Sequence, residues 1–397
     1  MTRAQARPVE SIPNRTRSSD SFDLLLTSVS LFLLLVGLVM VASSSITMAD
    51  KVYADPLHYF WRQLISVVIG LGGAFIILKT PLMTWQKLST LFLLLGILFL
   101  IAVLIPGVGR EVNGGMRWIG FGPLNIQSSE IAKICLIIYL AGYIVRQEEK
   151  LRTTFSGFIR PFAVVTLISG LLLLEPDYGS TVVLFATALG MLFMGGVPLS
   201  RFFIWLLVAT SALLGLAILS PYRMQRLTSF MDPWQDPFNT GFQLSQALIA
   251  FGRGEWFGVG LGSSVQKLFY LPEAHTDFVY AVLAEEFGLV GTLMIIALYL
   301  LFIWRAFLIG EVAQQSGKLF SAYLAYGIGL IIAIQAFINI GVNMGVLPTK
   351  GLTLPLISYG NNSMVITCCL VAFLIRVDME NRMPKKNPGV VREFVNV

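Results

Sequence analysis

The chain has 397 residues, of which 56% are hydrophobic and only 13% charged, with a net charge of +6 and three cysteines. Soluble domains run near a quarter charged, so an ordinary globular enzyme of two or three domains is excluded, as are intrinsic disorder and a disulfide-stapled scaffold. A mean hydropathy of +0.76 fits one polytopic membrane domain instead. Cys135, Cys368 and Cys369 each sit in an apolar run, where Cys behaves as a small hydrophobe.

Residues 1–22 are polar and lack the apolar core and cleavage site of a signal peptide, so they read as a cytoplasmic tail before a retained first span. Apolar stretches long enough to cross a bilayer follow at 23–44, 60–78, 88–105, 129–145, 160–174, 180–195, 202–220, 279–304, 319–343 and 360–376. The fifth and sixth are short and separated only by Glu175-Pro176-Asp177-Tyr178-Gly179. Pro removes a backbone donor there and Gly admits positive φ, which predicts either a tight re-entrant hairpin or a broken helix. No internal repeat is visible, so the sequence does not suggest an inverted-repeat transporter.

With the N-terminus placed inside, 18 of the 28 Lys and Arg residues fall on the inner side. Both termini are therefore expected in the cytoplasm, and the basic excess reports topology rather than nucleic-acid binding. Residues 221–278 form an outer loop far longer than a usual connection. The loop carries Trp234, Trp256 and several Phe, and residues 241–251 space their apolar groups as an amphipathic helix does, so it is expected to be ordered. Residues 377–397 read as a basic, disordered cytoplasmic tail. The fold class is all-α: a polytopic membrane domain over 23–376 with about ten transmembrane helices.

Charges inside spans are costly and tend to mark function. Glu130 and Lys133 open the fourth span at i, i+3, so they share a face, as a self-neutralising pair or as part of a site. Ser128 or Ser129 can cap that helix. At the eighth span, Thr276 is a candidate N-cap and Asp277 falls in the first turn. Asp277 is then either a dipole-stabilising acid or a general base facing the outer half of the membrane. One of Glu285 and Glu286, two to three turns deeper, is expected to face an internal polar cavity. A third polar cluster, from Asn339 and Asn343 through Lys350 to Asn361 and Asn362, fits interhelical hydrogen bonding. No metal-ligand spacing or Ser-His-Asp arrangement appears. The Gly258-Val259-Gly260-Leu261-Gly262 run lacks the strand and helix of a dinucleotide site.

These motifs resemble the SEDS family (shape, elongation, division and sporulation) from about residue 22 to residue 376. The most specific are Pro176-Asp177-Tyr178-Gly179, Asp232-Pro233-Trp234-Gln235-Asp236-Pro237, Gly252-Arg253-Gly254, Leu271 to Gly288, and Leu354-Pro355-Leu356-Ile357-Ser358-Tyr359-Gly360. The run Gly262 to Asp277 is nearer the family's division polymerases than its elongation polymerases, which usually carry an Arg before the His. Asn361 and Asn362 stand where the family usually has Gly and Ser, and Asn tolerates positive φ.

The resemblance implies a bacterial peptidoglycan glycosyltransferase polymerising lipid II at the outer face of the inner membrane, at the division septum. It also implies a class B penicillin-binding protein (FtsI) and other division proteins as partners. The family's essential aspartate corresponds to Asp277, and its Glu and Lys on the fourth span to Glu130 and Lys133. Arg253, Lys267 and His275 are candidate substrate contacts in the long loop. The resemblance fixes no definite cofactor, and a divalent cation, Mg or Mn, can bridge Asp277 to the pyrophosphate. The rival readings are a lipid II flippase, an elongation polymerase of the same family, and a scaffold without chemistry.

Overall fold

The computed structural model describes residues 22–112, 115–121, 124–218, 229–348 and 351–383. Arg223, Arg226, Lys350 and most of both tails lie outside the described residues. A helix occupies each of the ten apolar stretches. In chain order the elements are α1 (Leu24–Tyr53), α2 (His58–Lys79), α3 (Leu82–Lys87), α4 (Ser89–Leu104), β1 (Gly109–Val112), β2 (Gly115–Phe121), β3 (Leu124–Gln127), α5 (Ser128–Arg146), α6 (Glu148–Thr153), α7 (Phe155–Leu174), α8 (Tyr178–Met194), α9 (Leu199–Ile218), α10 (Phe242–Gly254), α11 (Val279–Gln315), α12 (Leu319–Asn343) and α13 (Asn361–Arg382). Among the described residues seven helices, α1, α2, α5, α7, α11, α12 and α13, are long and apolar enough to cross a membrane. The chain is a multi-pass membrane protein.

The three strands correct the all-α expectation. They form one antiparallel sheet in the order β1-β2-β3 between α4 and α5. At four to seven residues, rich in Gly and polar groups, they carry no run long enough to stand out beside the apolar helices.

Of the seven candidate spans, α5 and α12 are the most enclosed, while α2 and α11 keep broad apolar faces outward. α12 packs against α11, α8 and α5, and α2 packs along α13. The Glu175–Asp177 turn joins α7 and α8 as a tight helical hairpin, with Asp177 Oδ1 accepting from Ser180 N at 3.1 Å. α13 runs to Arg382, so the first residues of the expected disordered tail are helical. Arg376–Glu380 and Arg382–Asp378 pairs at i, i+4 support that extension. The same end of the bundle holds Asp23, which caps α1 and pairs with Arg305.

α11 is not the continuous helix its apolar run predicts. Gly288, at φ 67° and ψ −164°, splits it. A break inside a membrane helix frees backbone groups that lipid cannot satisfy. The loop after α10 answers them: Val259 N donates to Glu285 O and Gly260 N to Glu286 O, at 3.0 and 3.1 Å. In return Leu289 N donates to Glu255 O and Val290 N to Trp256 O. A Cβ on Gly258 would sit 2.1 Å from Glu286 O, so the glycine run serves this backbone approach.

Candidate active site

Gln335, Asn339 and Asn343 stand four residues apart on α12, which places them on one face, about 6 Å apart along the axis. Asn339 and Asn343 each donate through Nδ2 to the backbone carbonyl of Asp277, both at 2.9 Å. Asn339 also donates to Leu352 O, and Asn343 Oδ1 accepts from Ala281 N at 3.1 Å. Gln335 Nε2 donates to Thr353 O at 2.9 Å, and its Oε1 accepts from Lys133 Nζ at 3.3 Å. Lys133 in turn lies 2.7 Å from Glu130, with both side chains buried. A buried ammonium needs a counter-charge and hydrogen bonds to be tolerated, and this row of amides and acid supplies them. The row joins Glu130 and Lys133 at one end to Asp277 at the other.

Asp277 is half-buried and lies two residues before the first residue of α11, where Phe278 is the N-cap. The first-turn expectation is therefore corrected. Thr276 does not cap the helix either; its hydroxyl donates to Glu273 Oε2 at 2.6 Å. A Cβ on Gly351 would come within 2.9 Å of Asp277 Oδ2, so glycine there lets residues 351–354 pass beside the carboxyl. On that stretch's other flank, Leu352 presses on Gly179 of the α7–α8 hairpin.

Ser128 and Ser129 do not cap α5, because Gln127 is the N-cap, and its side chain makes no capping bond. Ser128 instead turns its hydroxyl to Glu175 Oε2, 2.6 Å away. Burial pushes the Glu175 carboxyl up to about 8, against the Ser128 bond, with Asp177 adding to the rise. Asn361 and Asn362 are the first helical residues of α13 and do not take positive φ. Asn362 Nδ2 donates to Asn125 O at 2.7 Å, fastening β3 to the helix.

The loop residues divide. His275 packs between the rings of Tyr59 and Tyr359, with centroids 4.6 and 5.5 Å away, and its carbonyl accepts from Tyr359 N at 2.9 Å. Burial lowers its pKa, with Glu273 opposing, so His275 acts here as a packing ring. Lys267 is buried against Glu286 at 2.8 Å, and both bond Ser43 on α1. Arg253, with its side chain 42% exposed, pairs with Glu285 at 3.1 Å. Ser264 and the amides of Val265 and Gln266 also bond Glu285. Each glutamate is engaged by a base, Glu285 by Arg253 and Glu286 by Lys267. The structure joins Glu130, Lys133 and Asp277 through α12 and places Arg253 and Lys267 in a separate lock on α11. Gln335 and Glu175 are the site residues that sequence reading misses, although a Gln-Asn-Asn row at four-residue spacing in an apolar span was a visible signal.

Among the described residues no group of three or more His, Cys, Asp or Glu could hold a metal ion. Asp277 alone fits a cation held mainly by substrate phosphates and water.

A sequence profile described as cell cycle protein, covering FtsW, RodA and SpoVE, matches residues 23–383. A probable peptidoglycan glycosyltransferase FtsW from Nitrosococcus halophilus is 56% identical over 363 residues, 91% of this chain and 94% of that protein. Its counterpart in Hahella chejuensis is 52% identical, over 91% of each chain. Among solved structures, one from work on structural coordination of polymerization and crosslinking by a peptidoglycan synthase complex superposes with a TM-score of 0.75 at 28% identity, covering 91% of this chain and 99% of that one. The rod shape determining protein RodA of Thermus thermophilus gives 0.68 at 25% identity, covering 91% and 98%. With the profile spanning nearly the whole helical bundle and these relatives matching end to end, the chain belongs to the FtsW/RodA/SpoVE family of cell cycle proteins.

Proposed function

We propose that this protein is the peptidoglycan glycosyltransferase of cell division, which polymerises lipid II into glycan strands at the outer face of the inner membrane. The observation that carries the reading is the seating of Asp277. Two amides fix its backbone carbonyl, and Gly351 leaves room for the chain passing its carboxyl. In this mechanism the carboxylate takes the proton of the acceptor sugar's 4-hydroxyl as that oxygen attacks the anomeric carbon of the lipid-linked strand. Pyrophosphate leaves with its lipid. General-base help of this kind contributes roughly 10²–10⁴-fold. A single displacement inverts the anomeric carbon. Glu130 and Lys133 support the base by anchoring the amide row. Asp277 is the residue that would hold a divalent cation, which would supply charge neutralisation at the leaving group.

All ten apolar helices cross the bilayer in this reading, with both termini in the cytoplasm. Arg305, in the charged end, lies 16 residues along α11 from Leu289, the first residue past the break, about 24 Å by helical rise and most of the hydrocarbon thickness. The Asp277 end then faces outward. A class B penicillin-binding protein, FtsI, is the transpeptidase partner at the septum, in keeping with the synthase complex among the structural relatives.

The test is synthesis from lipid II in proteoliposomes by the wild type and by Asp277→Asn, which keeps size and hydrogen bonding but removes the base. Glycan synthesis should fall by at least about 10²-fold in the variant, with folding unchanged. Near wild-type synthesis by the variant would sink the base assignment. Lipid II translocation without glycan from the wild type would favour a flippase.

A further inference from the structure

The hairpin acid Glu175 takes no part in the mechanism above, yet its surroundings are unusual. It is fully buried, and its one side-chain hydrogen-bond partner is Ser128, the first residue of α5. Its second oxygen, Oε1, is buried with no partner, and so is Oδ2 of its neighbour Asp177. The charges that face it are few. Asp177 shares its turn and raises its proton affinity, and Arg117 reaches over from β2. The Arg117 guanidinium donates to the backbone carbonyls of Glu175 and Pro176, at 3.1 and 2.7 Å. The first charges on α5, Glu130 and Lys133, are paired with each other, and α8 carries none.

Hydrogen counting then decides the state of the carboxyl. Ser128 Oγ lies 2.6 Å from Glu175 Oε2 and 3.4 Å from the carbonyl oxygen of Arg117. One hydroxyl carries one proton and cannot serve both acceptors. If Glu175 is ionised, its charge is buried with no ion-pair partner among the described residues, only the Arg117 guanidinium on the neighbouring carbonyls, and the Arg117 carbonyl loses the Ser128 hydroxyl. If Glu175 keeps its proton, it donates to Ser128 Oγ, and Ser128 donates onward to Arg117 O. Both bonds are then made, and no charge is buried.

Resting on the site reading of the preceding subsection, we infer that Glu175 is a positioning residue working as a neutral acid, which donates its proton to Ser128 and so fixes the first turn of α5 and the Glu130–Lys133 pair on it. The same turn braces the far side of the site, because Gly179 abuts Leu352 on the stretch that passes Asp277. Ionisation of Glu175 loosens both contacts.

The experiment compares the wild type, Glu175→Ala and Glu175→Gln, full-length, by melting across pH and by synthesis from lipid II. Glu175 is protonated in the fold and ionised in the unfolded chain between its ordinary value and about 8, so this group's stabilisation is complete below that window and is lost as pH rises through it. The wild-type melting temperature should therefore fall between about pH 5 and about pH 8 more steeply than that of Glu175→Gln, which cannot titrate. At neutral pH Glu175→Ala should lose about tenfold in kcat and Glu175→Gln should recover most of it. Above about pH 8 the Gln variant should outperform the wild type. A Gln variant as impaired as Ala, a Gln variant that fails to fold, or equal melting slopes would each overturn the inference. Asp277→Asn runs in parallel: if it still makes glycan, the base reading fails, while the melting slopes still decide the state of Glu175.

Discussion

Two pairs of neighbouring acids sit near the Asp277 end of this bundle, and the protein treats them in opposite ways. Glu285 and Glu286, above the break in α11, are both buried, and each meets a base: Arg253 for the first, Lys267 for the second. Glu175 and Asp177, on the α7–α8 turn, are as deeply buried and meet no base in an ion pair among the described residues. The first pair meets its partners because the loop after α10 folds back to deliver its cations and its amides. On the second turn a serine hydroxyl reaches Glu175 and a backbone amide reaches Asp177, and burial favours the protonated acid at Glu175. Burial alone therefore does not tell whether a carboxyl is a lock or a proton store. The partners decide.

The largest way to break this contrast is at Glu286. Glu286→Ala leaves the Lys267 ammonium buried with only Ser43 for company, and removing one partner of a buried pair costs about 3–5 kcal/mol. The variant should express poorly or melt far below the wild type in detergent. Adding Lys267→Met removes the stranded charge and should recover most of the loss. If the double variant is no better than the single one, the ion pair is not what Glu286 provides.

Glu285→Gln tests the milder half of the same lock. Arg253 is partly in water and keeps its solvation when its partner is neutral, so less is stranded. What is lost is charge-assisted hydrogen bonding to Ser264 and the amides of Val265 and Gln266, about 1–3 kcal/mol in sum. Melting should drop measurably without loss of the fold. Proteolysis within residues 255–270 should quicken, because those amides hold the loop to the helix. An unchanged cleavage rate would show that the backbone exchange around Gly288 holds the loop by itself.

Much of this was legible in the sequence, and the misses have physical reasons. Long apolar runs fixed all ten helices, because lipid leaves little alternative for such segments. The amphipathic spacing at 241–251 located α10 to within a few residues. The break at Gly288 was hidden, since glycine is ordinary in membrane helices and its partners lie some 30 residues earlier, at Glu255 to Gly260. Ser128 reads as a cap by local rules, and a distant carboxyl claims it instead. Of the site, Asp277, Glu130 and Lys133 stood out as charges against apolar spans. Gln335, being neutral, did not. Asn339 and Asn343 stood out as a polar cluster, but that they hold the Asp277 carbonyl is set by contacts between distant helices.

The smallest expected effect belongs to Asp177. Its Oδ1 caps α8 by accepting from Ser180 N, while Oδ2 is buried without a partner. An N-cap is worth about 1 kcal/mol, and here part of that gain is offset by the desolvation of the unpartnered oxygen. Asp177→Asn keeps the capping oxygen and replaces the orphaned acceptor with an amide, so it should change the melting temperature little in either direction. Asp177→Ala should lower it by the value of the cap. The contrast with Glu175 sharpens through pH. Removing the Asp177 carboxyl takes away a neighbour that raises the Glu175 proton affinity, so in Asp177→Asn the decline of melting temperature with pH should end at a lower pH than in the wild type. A decline that ends at the same pH would mean that the Asp177 carboxyl does not act on its neighbour, and that desolvation sets the state of Glu175.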